Sequence, residues 1–201
     1  MPKELSNRDA KRQEIIYKAY EFIIKFGIKE FSTNAFIKYF KIGKSSLYHY
    51  FTSKDEILYE LYYNLALDSI KKAKVKIENS KLSLKETLEI VFDFYLGSSS
   101  ENLRQQQLYI EFLYIYSAKK TENMEKYDEY LMEHIQSFLK EILEAEISKG
   151  HIYPNSIDLV NSMLVTADGM LLYSFSLKNF NLEREFRLYL NTTLELIERK
   201  A

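Results

Sequence analysis

Residues 32–58 read STNAFIKYFKIGKSSLYHYFTSKDEIL. Two short amphipathic segments and the start of a third follow one another around the tight turn Lys41-Ile42-Gly43. Ser32 or Thr33 is placed to cap a helix running through Phe40. A second short helix is expected from Lys44 to about Phe51. Ser53 caps the next, with Asp55 and Glu56 in a first turn where negative charge suits the helix dipole. In the second helix Leu47, Tyr50 and Phe51 fall at i, i+3 and i+4 and share one face. Lys44, Ser45, Tyr48 and His49 are left on the other. This is the layout of a helix-turn-helix.

Outward from that stretch, the periodicity stays helical. Ile15, Ile16, Ala19, Phe22, Ile23 and Phe26 recur at three- and four-residue steps, which predicts a helix over 7–26 ended by Gly27. A long helix is expected over 53–79. Five more follow near 82–98, 102–119, 122–149, 155–178 and 182–199, punctuated by Ser80, Gly97 to Ser100, Thr121, Gly150 with Pro154, and Asn179 to Asn181. Five glycines and two prolines in 201 residues leave few breaks, and no useful strand alternation is present. The expected fold is all-α with nine helices. A three-helix head over 1–54 precedes a larger helical body over 55–201.

Composition narrows the function. With no cysteine there is no disulfide framework and no thiolate zinc site. The polar N-terminus lacks the apolar core of a signal peptide, and no stretch is apolar enough to span a membrane, so a cytoplasmic protein is expected. Lys and Arg outnumber Asp and Glu over residues 1–54 and are outnumbered over 55–201. A basic head on an acidic body points the head at a polyanion.

The free face of the second short helix suits duplex DNA. Lysine neutralises phosphate or donates to guanine, while serine, tyrosine and histidine donate to phosphate or touch base edges. The candidate DNA-binding residues are Lys44, Ser45, Ser46, Tyr48 and His49. Ser32, Thr33 and Asn34 at the start of the preceding helix join them, with Lys54 after the third cap. Lys3, Arg8, Lys11 and Arg12 are candidates for an arm along the minor groove.

The run Thr33 to Leu58 resembles, without a gap, the DNA-binding domain of the TetR family of bacterial transcriptional regulators. Leu47-Tyr48-His49-Tyr50-Phe51 followed by Ser53-Lys54-Asp55 is the strongest part, and the helix ending Phe26-Gly27 fits as well. The resemblance covers roughly residues 8–60 and implies DNA contacts at Thr33, Lys44, Tyr48, His49 and Lys54. It also implies a homodimer on a palindromic operator and a C-terminal domain that binds a small molecule. Two positions depart from the pattern: Lys41 stands where the turn glycine is usual, and Gly43 where serine is usual.

In the body, Phe92, Tyr95, Tyr109, Phe112, Tyr116 and Tyr173 are candidates to line a pocket for a small apolar or aromatic ligand, with hydroxyls to orient it. Gln105 to Gln107 and His134 are possible polar handles. Val160, Leu164, Ala167 and Leu171 form one helical stripe, and Phe186, Leu190, Thr193 and Ile197 another. Paired across a two-fold axis they would build a four-helix dimer interface.

Catalysis is not expected. His49, His134 and His151 are far apart, with no metal-ligand spacing, phosphate-binding glycine loop or GxSxG. No cofactor and no metal are implied. The sequence therefore reads as a DNA-binding transcriptional regulator, a repressor released by a ligand in the body. The alternative is a regulator with no small-molecule effector, either constitutive or controlled by a protein partner.

Overall fold

The computed structural model describes residues 7–119 and 121–199, and among them the secondary structure is helical apart from one isolated β-bridge. Ten α-helices follow in order: α1 Asn7–Phe26, α2 Thr33–Phe40, α3 Lys44–Tyr50, α4 Lys54–Glu78, α5 Leu84–Val91, α6 Asp93–Leu96, α7 Ser100–Lys119, α8 Glu122–Ser148, α9 Leu159–Ser176 and α10 Leu182–Ile197. The tenth arises because the helix expected over 82–98 breaks at Phe92, whose backbone (φ −97°, ψ 18°) leaves the helical region. Its buried ring packs edge-on against Phe186, with centroids 5.1 Å apart. Buried Gln106 answers the break by donating from Nε2 to the Phe94 carbonyl at 2.7 Å. That glutamine is a structural tie rather than a handle for a ligand.

The helices form two compact units. One holds the residues up to Leu65 together with Gln107–Met124; the other holds Ala66–Gln106 and the residues from Glu125 onward. The boundary expected after residue 54 falls inside the first unit, at the start of α4.

In the first unit, Ile15, Ile16, Ala19, Phe22 and Ile23 of α1 are buried with Phe31, Phe36, Leu47, Phe51, Ile57, Leu58 and Leu61. Phe22, Phe31 and Phe36 meet as tilted or edge-on rings, 5.5 to 6.3 Å between centroids. Such pairs add directional preference to the burial of large apolar area. Gly27 ends α1 at φ +89°, a conformation that side chains with a Cβ resist. A second layer joins α4 to the 107–124 segment. Tyr62 stacks on Phe112 at 4.4 Å, and the Tyr59 hydroxyl donates to the Met124 carbonyl at 2.6 Å.

The second unit packs around Leu88, Phe92, Leu139, Leu143, Val160, Met163, Ala167, Phe186 and Leu190. A short clasp closes it. The Tyr153 N–H donates to the Ile197 carbonyl at 3.0 Å, and the Arg199 N–H donates to the His151 carbonyl at 2.9 Å. Together they make an antiparallel bridge between Ile152 and Glu198. No helix among the described residues is long and apolar enough to cross a membrane.

Candidate nucleic-acid interface

The first helix of the motif begins where the sequence places it. Ser32 is the N-cap of α2, in extended conformation, and its Oγ accepts from the Ala35 N–H at 3.2 Å. The turn to α3 is made by Lys41 in the left-handed region, φ 53° and ψ 39°. Its N–H and that of Ile42 both point back to the Ile37 carbonyl, the latter at 3.1 Å. That six-to-one bond is the usual seal of a helix C-terminus. Lysine thus adopts the turn conformation for which glycine is the common choice, at some cost from its Cβ. Gly43 caps α3 with extended backbone and no side-chain hydrogen bond.

Within α3, Leu47 is buried against the head, and Phe51 just beyond its end is buried as well. The opposite face is open. Lys44, Ser45, Ser46 and His49 are exposed, and Tyr48 keeps 44% of its surface. Asn34 at the start of α2 and Lys54 at the start of α4 are also exposed; Thr33 is half-buried. Neither Lys44 nor Lys54 is engaged in an ion pair among the described residues, so both ammonium groups are available to an anion. Lys38 and Lys41 add exposed positive charge on and after α2.

Behind this face lies a charged cluster that sequence reading assigned differently. Arg12, expected in a minor-groove arm, turns inward. It donates from Nε to Glu60 at 2.7 Å, from Nη2 to Glu56 at 2.7 Å, and from Nη1 to the Tyr50 carbonyl. Glu56 also accepts from the N–H and hydroxyl of Thr52 at 2.7 and 2.9 Å. Burial pushes the Glu56 carboxyl up, but the bonds from Arg12 and Thr52 outweigh it and hold it below the usual carboxylate range. Burial alone would lower the Arg12 pKa; its bonds to Glu60 and Glu56 raise it instead. Of the other arm candidates, Lys11 pairs with Glu14 at 2.7 Å, Arg8 is exposed, and Lys3 lies outside the described residues.

Residues 15–61 match the family model of the bacterial regulatory proteins, tetR family. These residues form a TetR-family DNA-binding head. No curated sequence matches the chain. Solved structures match over nearly its whole length. A Saccharomonospora viridis protein described as a transcriptional regulator and solved with choline superposes at TM-score 0.76, 12% identity, covering 95% of this chain and 99% of its own. A TetR transcription regulator from Haloarcula marismortui gives 0.72 at 15% identity, over 94% and 99%. A TetR-family regulator from Cytophaga hutchinsonii gives 0.69 at 19%, over 99% and 100%. At these identities the likeness is one of fold. The TetR-family head identifies a DNA-binding transcriptional regulator rather than an enzyme, and its α3 is the helix with the open polar face.

Outside the TetR-family head, the side chains chosen from the sequence are distributed differently from expectation. The six aromatic pocket candidates are divided between the units. Phe92 and Tyr95 belong to the second, where the Tyr95 hydroxyl donates to the Asp168 carboxylate at 2.6 Å. Tyr109, Phe112 and Tyr116 belong to the first, where Tyr109 and Phe112 stack with Tyr62. Tyr173 is mostly exposed, its ring 6.0 Å from that of Phe180. None of the six lines the cleft of about 350 Å³ found in the second unit, between the end of α4, the start of α5 and α8. That cleft is lined by apolar Ile77, Leu82, Leu84, Phe138 and Ile142 and by charged side chains that include Lys74 and Glu141. Its residues are spread over three helices, and no single stretch of sequence signals it.

The two stripes expected at a dimer interface take part in packing within the chain. Val160, Leu164, Ala167, Leu171, Phe186, Leu190, Thr193 and Ile197 are all buried by their own chain. They are already used in the core of the second unit. The apolar surface that α9 and α10 leave uncovered lies elsewhere: Val165 and Leu172 on α9, Leu188 and Leu196 on α10. Val165 is 71% and Leu196 75% exposed, far more than a core position tolerates.

Proposed function

We propose that this protein is a homodimeric repressor that binds a palindromic operator and is released by a small molecule bound in its C-terminal part. The observation that carries the DNA reading is the open face of α3. Lys44, Ser45, Tyr48 and His49 are exposed on a helix anchored by buried Leu47, with the His49 ring edge-on to that of Tyr50 at 4.9 Å. In a two-fold dimer, two such helices would enter successive major grooves about 35 Å apart. The uncovered apolar residues of α9 and α10 supply a surface that a second copy would bury.

Support for a ligand is of a different kind. A structural neighbour was solved with choline, and the cleft of about 350 Å³ is within the usual size of small-molecule sites. A ligand weakens DNA binding only through its unequal affinity for the bound and released states, and a few kcal/mol of difference suffices. The second reading, a regulator without a small-molecule effector, is favoured by the packing of Phe92, Tyr109 and Phe112 as ordinary buried side chains. Titrating choline and a panel of small aromatic and apolar compounds while following operator release separates the two.

Selection of bound fragments from random-sequence DNA tests the DNA reading and, through the half-site spacing, the dimer. The triple variant Lys44→Ala/Tyr48→Ala/His49→Ala is expected to lose most operator affinity while keeping its helical content. A variant that bound the selected operator as well as wild type would remove this face from the reading.

A further inference from the structure

Helix α3 has only seven residues, and its N-cap glycine supplies no side-chain bond. So short a helix is marginal by its own hydrogen bonds, and its orientation must be imposed by what it touches. Leu47 anchors its middle. Its C-terminal end is held by Arg12, a residue of α1 remote from the free face. The Arg12 Nη1 donates to the Tyr50 carbonyl, one of the last carbonyls that a helix leaves unpaired and where a cation is favoured. Its Cζ sits 4.1 Å above the centre of the Phe51 ring. The rest of the guanidinium is fixed on α4 by Glu56 at 2.7 Å and Glu60 at 2.5 Å, the latter only 5% exposed. One planar fork therefore joins α1, the end of α3 and the first turns of α4, in a way a lysine cannot reproduce.

The geometry points to Arg12 as a positioning residue for DNA reading: through the Tyr50 carbonyl and the Phe51 ring it fixes where the end of α3 presents Tyr48 and His49. This rests on the reading of α3 as the DNA-contacting helix. Base-edge contacts demand close geometry, whereas phosphate attraction tolerates small shifts. Losing Arg12 should therefore weaken binding to the selected operator and spare non-specific binding. The salt dependence should not change, because no phosphate contact has been removed.

The test uses the full chain with the duplex that the wild type selects, and a scrambled duplex beside it. Arg12→Lys keeps the charge without the fork. Arg12→Met/Glu60→Gln removes the arginine and the buried carboxylate's charge together, so that no unpaired charge is left buried at position 60. Lys44→Ala serves as the phosphate or base-contact reference. Both Arg12 variants are expected to lose about tenfold or more on the operator, to stay within about twofold on scrambled DNA, and to keep the wild-type salt slope. Folded variants that bind the operator like wild type overturn the inference. So does a salt slope reduced by about one with equal loss on both duplexes, which would make Arg12 a direct phosphate contact. Unfolding of both variants would leave Arg12 a stabilising residue and overturn it too. In each of these cases Lys44→Ala still weakens DNA binding and the reading of α3 stands. A wild type with no salt-dependent DNA affinity overturns that reading and this inference with it.

Discussion

Lys41 illustrates how a single residue bears on the motif. It is the one non-glycine residue at positive φ among the described residues, and the turn closes around it with both capping bonds in place. Replacing it by glycine removes the Cβ clash and adds freedom to the unfolded chain, so the two effects partly cancel. Lys41→Gly is expected to stabilise the protein by about 0.5–1 kcal/mol, read from the denaturant midpoint at unchanged slope. A lower midpoint would mean that the left-handed turn is not strained. The residue was legible as a departure from the family pattern, but its conformation was not. A lysine in sequence does not reveal whether the turn yields to it or it yields to the turn. Arg12 was misassigned for a related reason. A basic residue near the start of an amphipathic helix looks solvated until the carboxylates of another helix, far along the chain, are found within 3 Å of it.

At the level of elements, the start of α4 ties charge to stability. Ser53 Oγ accepts from the Glu56 N–H at 3.1 Å, while the Glu56 carboxylate reaches back to Thr52. Folding lowers the Glu56 pKa. The stabilisation is therefore complete above the ordinary carboxylate value and is lost as pH falls through the folded one. Glu14, held at about 2 by hydrogen bonds from Lys11 and then Lys18, and Glu146 move in the same direction, so acid destabilisation is shared. Comparing wild type with Glu56→Gln isolates this group: the gap between their midpoints is expected to close as pH falls from 6 to 3. A gap that stayed constant would mean the carboxylate's charge is not what holds the cap. Helix boundaries were mostly legible, because caps such as Ser32 and Asn181 carry local signals. The break at Phe92 was not. No glycine or proline marks it, and it exists because a ring seats against Phe186 from another helix.

For the whole molecule, the faces of α9 show what periodicity alone leaves open about a dimer stripe. Val160, Met163, Leu164, Ala167 and Leu171 are buried, yet Val165 and Leu172 on the same helix are exposed and equally apolar. A helix apolar nearly all round offers periodicity no preferred direction, so only packing tells which stripe is covered. If the exposed stripe is the dimer contact, Val165→Glu/Leu172→Glu should sediment as a monomer at concentrations where wild type is a dimer. It should also bind a single half-site far more weakly than wild type binds the full operator. A monomeric wild type would remove α9 from the interface. The clasp between Ile152 and Glu198 has a consequence of another sort. Tyr153 and Arg199 have exposed side chains, yet their amide protons are engaged in backbone bonds. Placed in heavy water, these two surface residues should take up deuterium slowly, at the pace of the opening of the 151–153 and 197–199 segments as a pair. The clasp would then act as a clock, in which two distant stretches of the chain exchange at one common rate.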